Sequence, residues 1–169
     1  MMSKTRLKKE LADMSHEQLE QMILDAYDAR PEIKEYFEFF LNPDVDKLHD
    51  RYYAVAVKEF GRTRRGQSKA RVTHINRAVR TFAGFAPGAQ SVVDFMFGVL
   101  LLTGLADMNV RLMPTHERFV ASLTGEILKT GDRGQIADYV MEKFQALLAD
   151  SRLRLHFKNL VRKALESER

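Results

Sequence analysis

The chain has 169 residues, of which 45% are hydrophobic and 30% charged, with no cysteine and a formal net charge of +4. A chain of that length buries roughly 70% of its unfolded surface in one core, and its 11 Phe and 5 Tyr argue against disorder. The missing cysteine excludes disulfides, thiolate nucleophiles and cysteine-ligated zinc or iron–sulfur clusters.

In chain order, apolar residues recur at helical spacing almost throughout. The opening MMSKTRLKKELADM is charged and leads into no apolar run, unlike a secretory signal. Leu7, Leu11 and Met14 mark a first short helix. Ser15, with Gln18 three residues on, has the form of a capping box, and Leu19, Met22, Ile23 and Ala26 continue the helix it opens. Pro31 suits the first turn of a third helix with Ile33, Tyr36, Phe37, Phe40 and Leu41 inside. NPD at 42–44 stops that helix and starts one carrying Val45, Leu48, Tyr52, Ala56 and Phe60, which Gly61 ends. YAVAV at 53–57 is rich in β-formers but lies in the same helical frame, so it reads as helix.

Ser68 is expected to cap the next helix, with Val72, Ile75, Val79 and Phe82 inward, and GFAPGAQ at 84–90 breaks it. Residues 91–106 are apolar nearly all round. The uncharged run FMFGVLLLTGLA spans only residues 95–106, short of the ~20 residues a bilayer crossing needs, so it reads as a buried core helix. MPT at 113–115 opens another helix, with Phe119, Leu123, Ile127 and Leu128 inside and Gly131 as its stop. Asp132 is expected to cap a helix with Ile136, Tyr139, Val140, Phe144, Leu147 and Leu148. Ser151 is expected to start the last, with Leu153, Phe157, Leu160, Val161 and Leu165. The result is an all-α chain, one domain over residues 1–169. It has about nine helices in stacked antiparallel hairpins, a bundle or short α-solenoid, with a basic inter-helix loop at about 61–67.

LKKELADMSHEQLEQMILDAYDARPEIKEYFEFFLNP, residues 7–43, resembles a bacterial all-helical family classed as a domain of unknown function. The layout continues in RTFAGFAP at 80–87 and VVDFMFGVLLLTG at 92–104. The resemblance implies an all-helical fold and brings no activity, ligand or catalytic residue.

Charge is distributed in blocks. Residues 58–80 hold eight basic residues and one acid, net +7, while residues 1–57 are net −4. The basic block comprises Lys58, Arg62, Arg64, Arg65, Lys69, Arg71, Arg77 and Arg80. Within it GRTRRGQS, 61–68, matches a phosphate-binding loop except that Gln67 stands where a lysine must neutralise phosphate charge. A helix also precedes it where the motif needs a strand, so the stretch reads as helix stop, turn and cap. Arginine-rich charge still suits phosphate, and Lys69, Arg77 and Arg80 are placed along one side with Thr73 between them.

The five histidines show no i, i+3 or i, i+4 pair, and Val120 stands where a zinc motif starting at His116 needs its second histidine. His49, Asp50, Tyr52 and Tyr53 point in diverging helical directions. No catalytic residue, metal site or cofactor is assigned. The expected role is a non-enzymatic, cytoplasmic scaffold or interaction module that binds a protein partner or a second copy, with no membrane contact. The alternative is nucleic-acid or other polyanion binding through 58–80.

Overall fold

A computed structural model describes residues 3–63, 66–67, 70–106 and 114–167. Among these the chain is all-α, with nine helices and one two-residue β-ladder. It packs as two compact units, Met1–Pro43 and Asp44–Arg169.

The first unit holds α1 (Lys4–Ala12), α2 (His16–Ala29) and α3 (Pro31–Leu41). Its helix starts are locally coded. The Ser3 side chain accepts from Arg6 N, and Pro31 occupies the first turn of α3. Ser15 Oγ accepts from Gln18 N at 3.3 Å while Gln18 Oε1 accepts from Ser15 N at 2.9 Å, so the capping box closes as its spacing requires. Packing of α2 on α3 brings the Tyr27 and Phe37 rings to 6.5 Å. No residue of these three helices is buried.

The second unit runs from α4 (Val45–Phe60) through α5 (Val72–Gly84), α6 (Ala89–Ala106), α7 (Pro114–Arg133) and α8 (Ala137–Ala149) to α9 (Leu155–Ser167). Asp44 caps α4 by accepting from Lys47 N at 2.9 Å. YAVAV lies inside α4 as helix. Between α4 and α5, β1 (Arg62–Thr63) pairs antiparallel with β2 (Gly66–Gln67), a small ladder within the segment expected to be loop.

Helix α6 is the core. It packs against α4, α5, α7 and α8, and Val93, Phe95, Val99 and Leu100 have no exposed surface. The expectation that this segment is too short to span a bilayer is corrected: at 18 residues and a mean hydropathy of 1.6 it is long and apolar enough to do so, and half of it is buried among its neighbours. Phe95 stacks on Phe82 of α5 at 4.3 Å, and Phe97 meets Phe144 of α8 edge-on at 4.7 Å. Its one buried hydroxyl, Thr103, donates to Val99 O at 2.8 Å and so leaves no proton unpaired.

Gly61 ends α4 as expected, in extended geometry, φ −67°. Four other expected boundary residues, Ser68, Gly131, Asp132 and Ser151, are corrected. Helix α5 starts at Val72 with Arg71 as its N-cap, not at Ser68, which lies outside the described residues. Gly131 does not stop α7; it lies buried within it, where an added Cβ would stand 2.6 Å from Val140 Cγ2. Its role is to let α8 approach closely. Asp132 is likewise still helical and caps nothing. The stop comes at 134–136, where Ile136 N–H donates to Gly131 O and Gln135 N–H to Asp132 O, the paired bonds of a Schellman turn. Its left-handed residue is Gln135, φ 56°. Finally, α9 begins at Leu155, because Ser151 to Leu153 form a turn that buries Leu153.

Two substitutions test these roles by thermal unfolding. Gly131→Ala forces a methyl group against Val140 and is expected to cost on the order of 1 kcal/mol net, after alanine's helix preference is counted. Gln135→Gly releases left-handed strain of about 1 kcal/mol and is expected to raise Tm. A Gly131→Ala protein that melts at the wild-type temperature would contradict the close-approach account.

Candidate functional site

The basic block is framed by a buried carboxylate. Glu59, in the last turn of α4, is only 5% exposed. Such a charge is tolerated when its lone pairs are filled. Here Arg71 N–H donates to Oε2 at 3.0 Å, Arg71 Nε to Oε2 at 3.1 Å and Arg71 Nη2 to Oε1 at 2.7 Å. His74 Nδ1 lies 3.1 Å from Oε1. The guanidinium fork thus meets the carboxylate at both oxygens. Its hydrogen bonds hold Glu59 down at about 2 against the opposing effect of burial, and the carboxylate raises Arg71 in return.

This clasp explains where α5 begins. The N-cap residue Arg71 and His74, three residues on, are both tied to one carboxylate twelve residues or more upstream. No side chain of the N-cap itself caps the helix. A second tie comes from α7, whose buried His116 reaches Ala70 O through Nε2 at 3.1 Å. A carbonyl only accepts, so Nε2 carries the proton.

On the outer face of α5, Thr73, Asn76, Arg77, Arg80 and Thr81 line an open hollow of about 500 Å³. Their spacings of three and four put them on one stripe. Arg77 and Arg80 are exposed. Among the described residues neither has an acidic partner, and nor does Lys58 at the end of α4. The structure therefore brings Arg77 and Arg80 together with Thr73, as the helical spacing anticipates. Arg71 is paired with Glu59 at 2.7 Å. Arg62 lies in β1, but its side chain is outside the described residues, as are Arg64, Arg65 and Lys69.

Elsewhere the polar groups hold helices together. His49 stacks on Tyr53 at 5.1 Å and meets Phe82 and Phe95 edge-on, so these two α4 rings share a face where diverging directions were expected. Tyr53 OH donates to Gly98 O at 3.3 Å, and burial pushes its pKa above the ordinary tyrosine value. Asp94 of α6 accepts from Tyr139 OH at 2.6 Å and pairs with Lys143 Nζ at 2.7 Å, pinning α8 to α6. The hydrogen bond to Asp94 raises Lys143. The sequence shows Tyr139 and Lys143 at i, i+4 but gives no sign that Asp94 joins them. Among the described residues, no three His, Asp or Glu stand together as a metal site.

The sequence model of a family of unknown function, DUF6155, matches residues 2–156. No curated protein matches the chain, and no solved structure does.

The clasp has a signature in acid. Glu59 ionises at about 2 when folded against an ordinary 4.5. Its contribution is complete above the unfolded value and is lost as pH falls through the folded one. Wild-type stability is therefore expected to fall more steeply between about pH 5 and pH 2 than that of Glu59→Gln, measured by urea unfolding across that range. Parallel pH profiles for the two proteins would refute the clasp's role.

Proposed function

We propose, from the premise that the chain belongs to the DUF6155 family of unknown function, that it is a helical interaction module acting through surface contact with a protein partner. The observation that carries this reading is the exposure of apolar residues in Met1–Pro43. Phe40 is 65% exposed and Leu41 71%, and Leu24 and Ile23 are exposed as well. A three-helix unit in which none of these helices buries a residue gains from a partner the burial it lacks alone. The test compares the tagged full chain with a Phe40→Ala, Leu41→Ala variant in co-purification. Stoichiometric partners are expected with the wild type and lost with the variant. Their absence from both, or equal retention by both, would reject the reading.

A second reading, contact with nucleic acid or another polyanion, is favoured by Arg77 and Arg80 over the α5 hollow. Arginine matches phosphate geometry, and the flanking Thr and Asn side chains add hydrogen-bonding groups. Binding to duplex DNA is then expected to weaken with salt by about 0.9 log units per log unit for each phosphate contacted. Arg77→Ala with Arg80→Ala is expected to lower that slope by roughly 1.8, two contacts' worth. No binding to DNA or RNA at low salt would end this reading.

A further inference from the structure

We propose that the hollow on the outer face of α5 is a binding site for a small soluble phosphomonoester of a polyol, the chemistry of a sugar phosphate. This goes beyond surface contact with a polyanion, because it assigns the hollow one ligand of definite charge and shape. Arg77 and Arg80 stand three residues apart, about 4.5 Å along the helix axis, and both line the hollow with Thr73, Asn76 and Thr81. Helix α5 itself contains no acidic residue. Among the described residues, no hydrogen bond or ion pair engages the side chains of Thr73, Asn76, Arg77 or Arg80.

Charge selects the ligand. Two guanidinium groups without acidic partners border one hollow, and a single bound dianion relieves their mutual repulsion. A phosphomonoester carries about −1.5 to −2 at neutral pH and offers three acceptor oxygens, enough for two forks. A phosphodiester brings one charge, and a carboxylate brings one charge and two oxygens. The Thr73 hydroxyl and the Asn76 amide add neutral donors beside the cations.

Thr81 adds the polyol. Its Oγ1 donates its proton to Arg77 O at 2.8 Å, so towards the hollow it only accepts. An acceptor beside a phosphate site is matched by a ligand hydroxyl, not by another phosphate oxygen. The described lining residues are all hydrophilic, and none is an aromatic platform on which a nucleobase stacks. A volume of about 500 Å³ suits a small ester.

The test is calorimetric titration of the full chain with glycerol phosphate at constant ionic strength. Binding is expected. Methyl phosphate, which lacks the hydroxyls, is expected to bind several-fold more weakly, and dimethyl phosphate, which also lacks a charge, about tenfold more weakly again. Arg77→Ala with Arg80→Ala is expected to abolish binding. Arg77→Lys with Arg80→Lys keeps the charge, loses the forks and is expected to weaken binding by about tenfold. Thr81→Val is expected to erase the preference for glycerol phosphate over methyl phosphate. Circular dichroism verifies the fold of each variant.

Dimethyl phosphate binding as tightly as glycerol phosphate overturns the monoester, and equal binding of methyl phosphate overturns the polyol. Binding that survives Arg77→Ala with Arg80→Ala overturns the site. Attachment to phosphatidic acid vesicles without binding of the free ester overturns the soluble ligand. Duplex DNA binding without glycerol phosphate binding overturns this inference and leaves the polyanion reading standing. Glycerol phosphate binding without DNA or RNA binding does the reverse, and binding of none of them rejects both.

Discussion

Helix α6 has almost no face that can be given to water, and the second unit is built around that constraint. Valine, leucine and phenylalanine surround its axis, so it must be covered from several directions at once. Helices α4, α5, α7 and α8 do this, each turning its apolar stripe inward. The arrangement of charge follows. Once Ile75, Ala78, Val79 and Phe82 of α5 are buried, the same helix must carry Arg77 and Arg80 on its outside. The basic stripe is the reverse side of the face that covers the core.

The two units meet opposite demands. In Asp44–Arg169, buried side chains close the core, and two buried polar groups are answered, Glu59 by Arg71 and His74 and Thr103 by its own helix, while Thr124 Oγ1 and His116 Nδ1 have no partner among the described residues. In Met1–Pro43, α1 and α2 are specified by serine caps and α3 by Pro31 in its first turn, yet none of the three helices buries a residue. Capping and burial are separate sources of order. The first defines where a helix begins; the second decides what it must touch.

This separation also explains how much was legible in the sequence. Ser15, Pro31 and Asp44 act on neighbours three residues away or on their own backbone, so their spacing displays their function. The Thr73, Arg77 and Arg80 stripe was readable for the same reason, since one helical period places all three. The start of α5 was not. Its N-cap is tied by Glu59, brought back by the intervening turn, and no local pattern reports that return. The same distance hid the pairing of Arg71 with Glu59 and the meeting of Asp94 with Tyr139 and Lys143. Gly131 failed differently. A glycine that ends a helix and one that admits a neighbour look alike until the neighbour, Val140, is in place. The left-handed duty went to Gln135, which carries no such signal.

The position of α6 along the chain has a consequence for biosynthesis. A stretch this apolar invites aggregation or capture by a bilayer while it waits for cover. Helices α4 and α5 precede it in the sequence, so Phe82 is already made when Phe95 leaves the ribosome. The aromatic stack between them needs only residues already synthesised, whereas the contact of Phe97 with Phe144 must wait for α8. The order of the helices gives the most hazardous segment of the nascent chain a first shelter before its last neighbours exist.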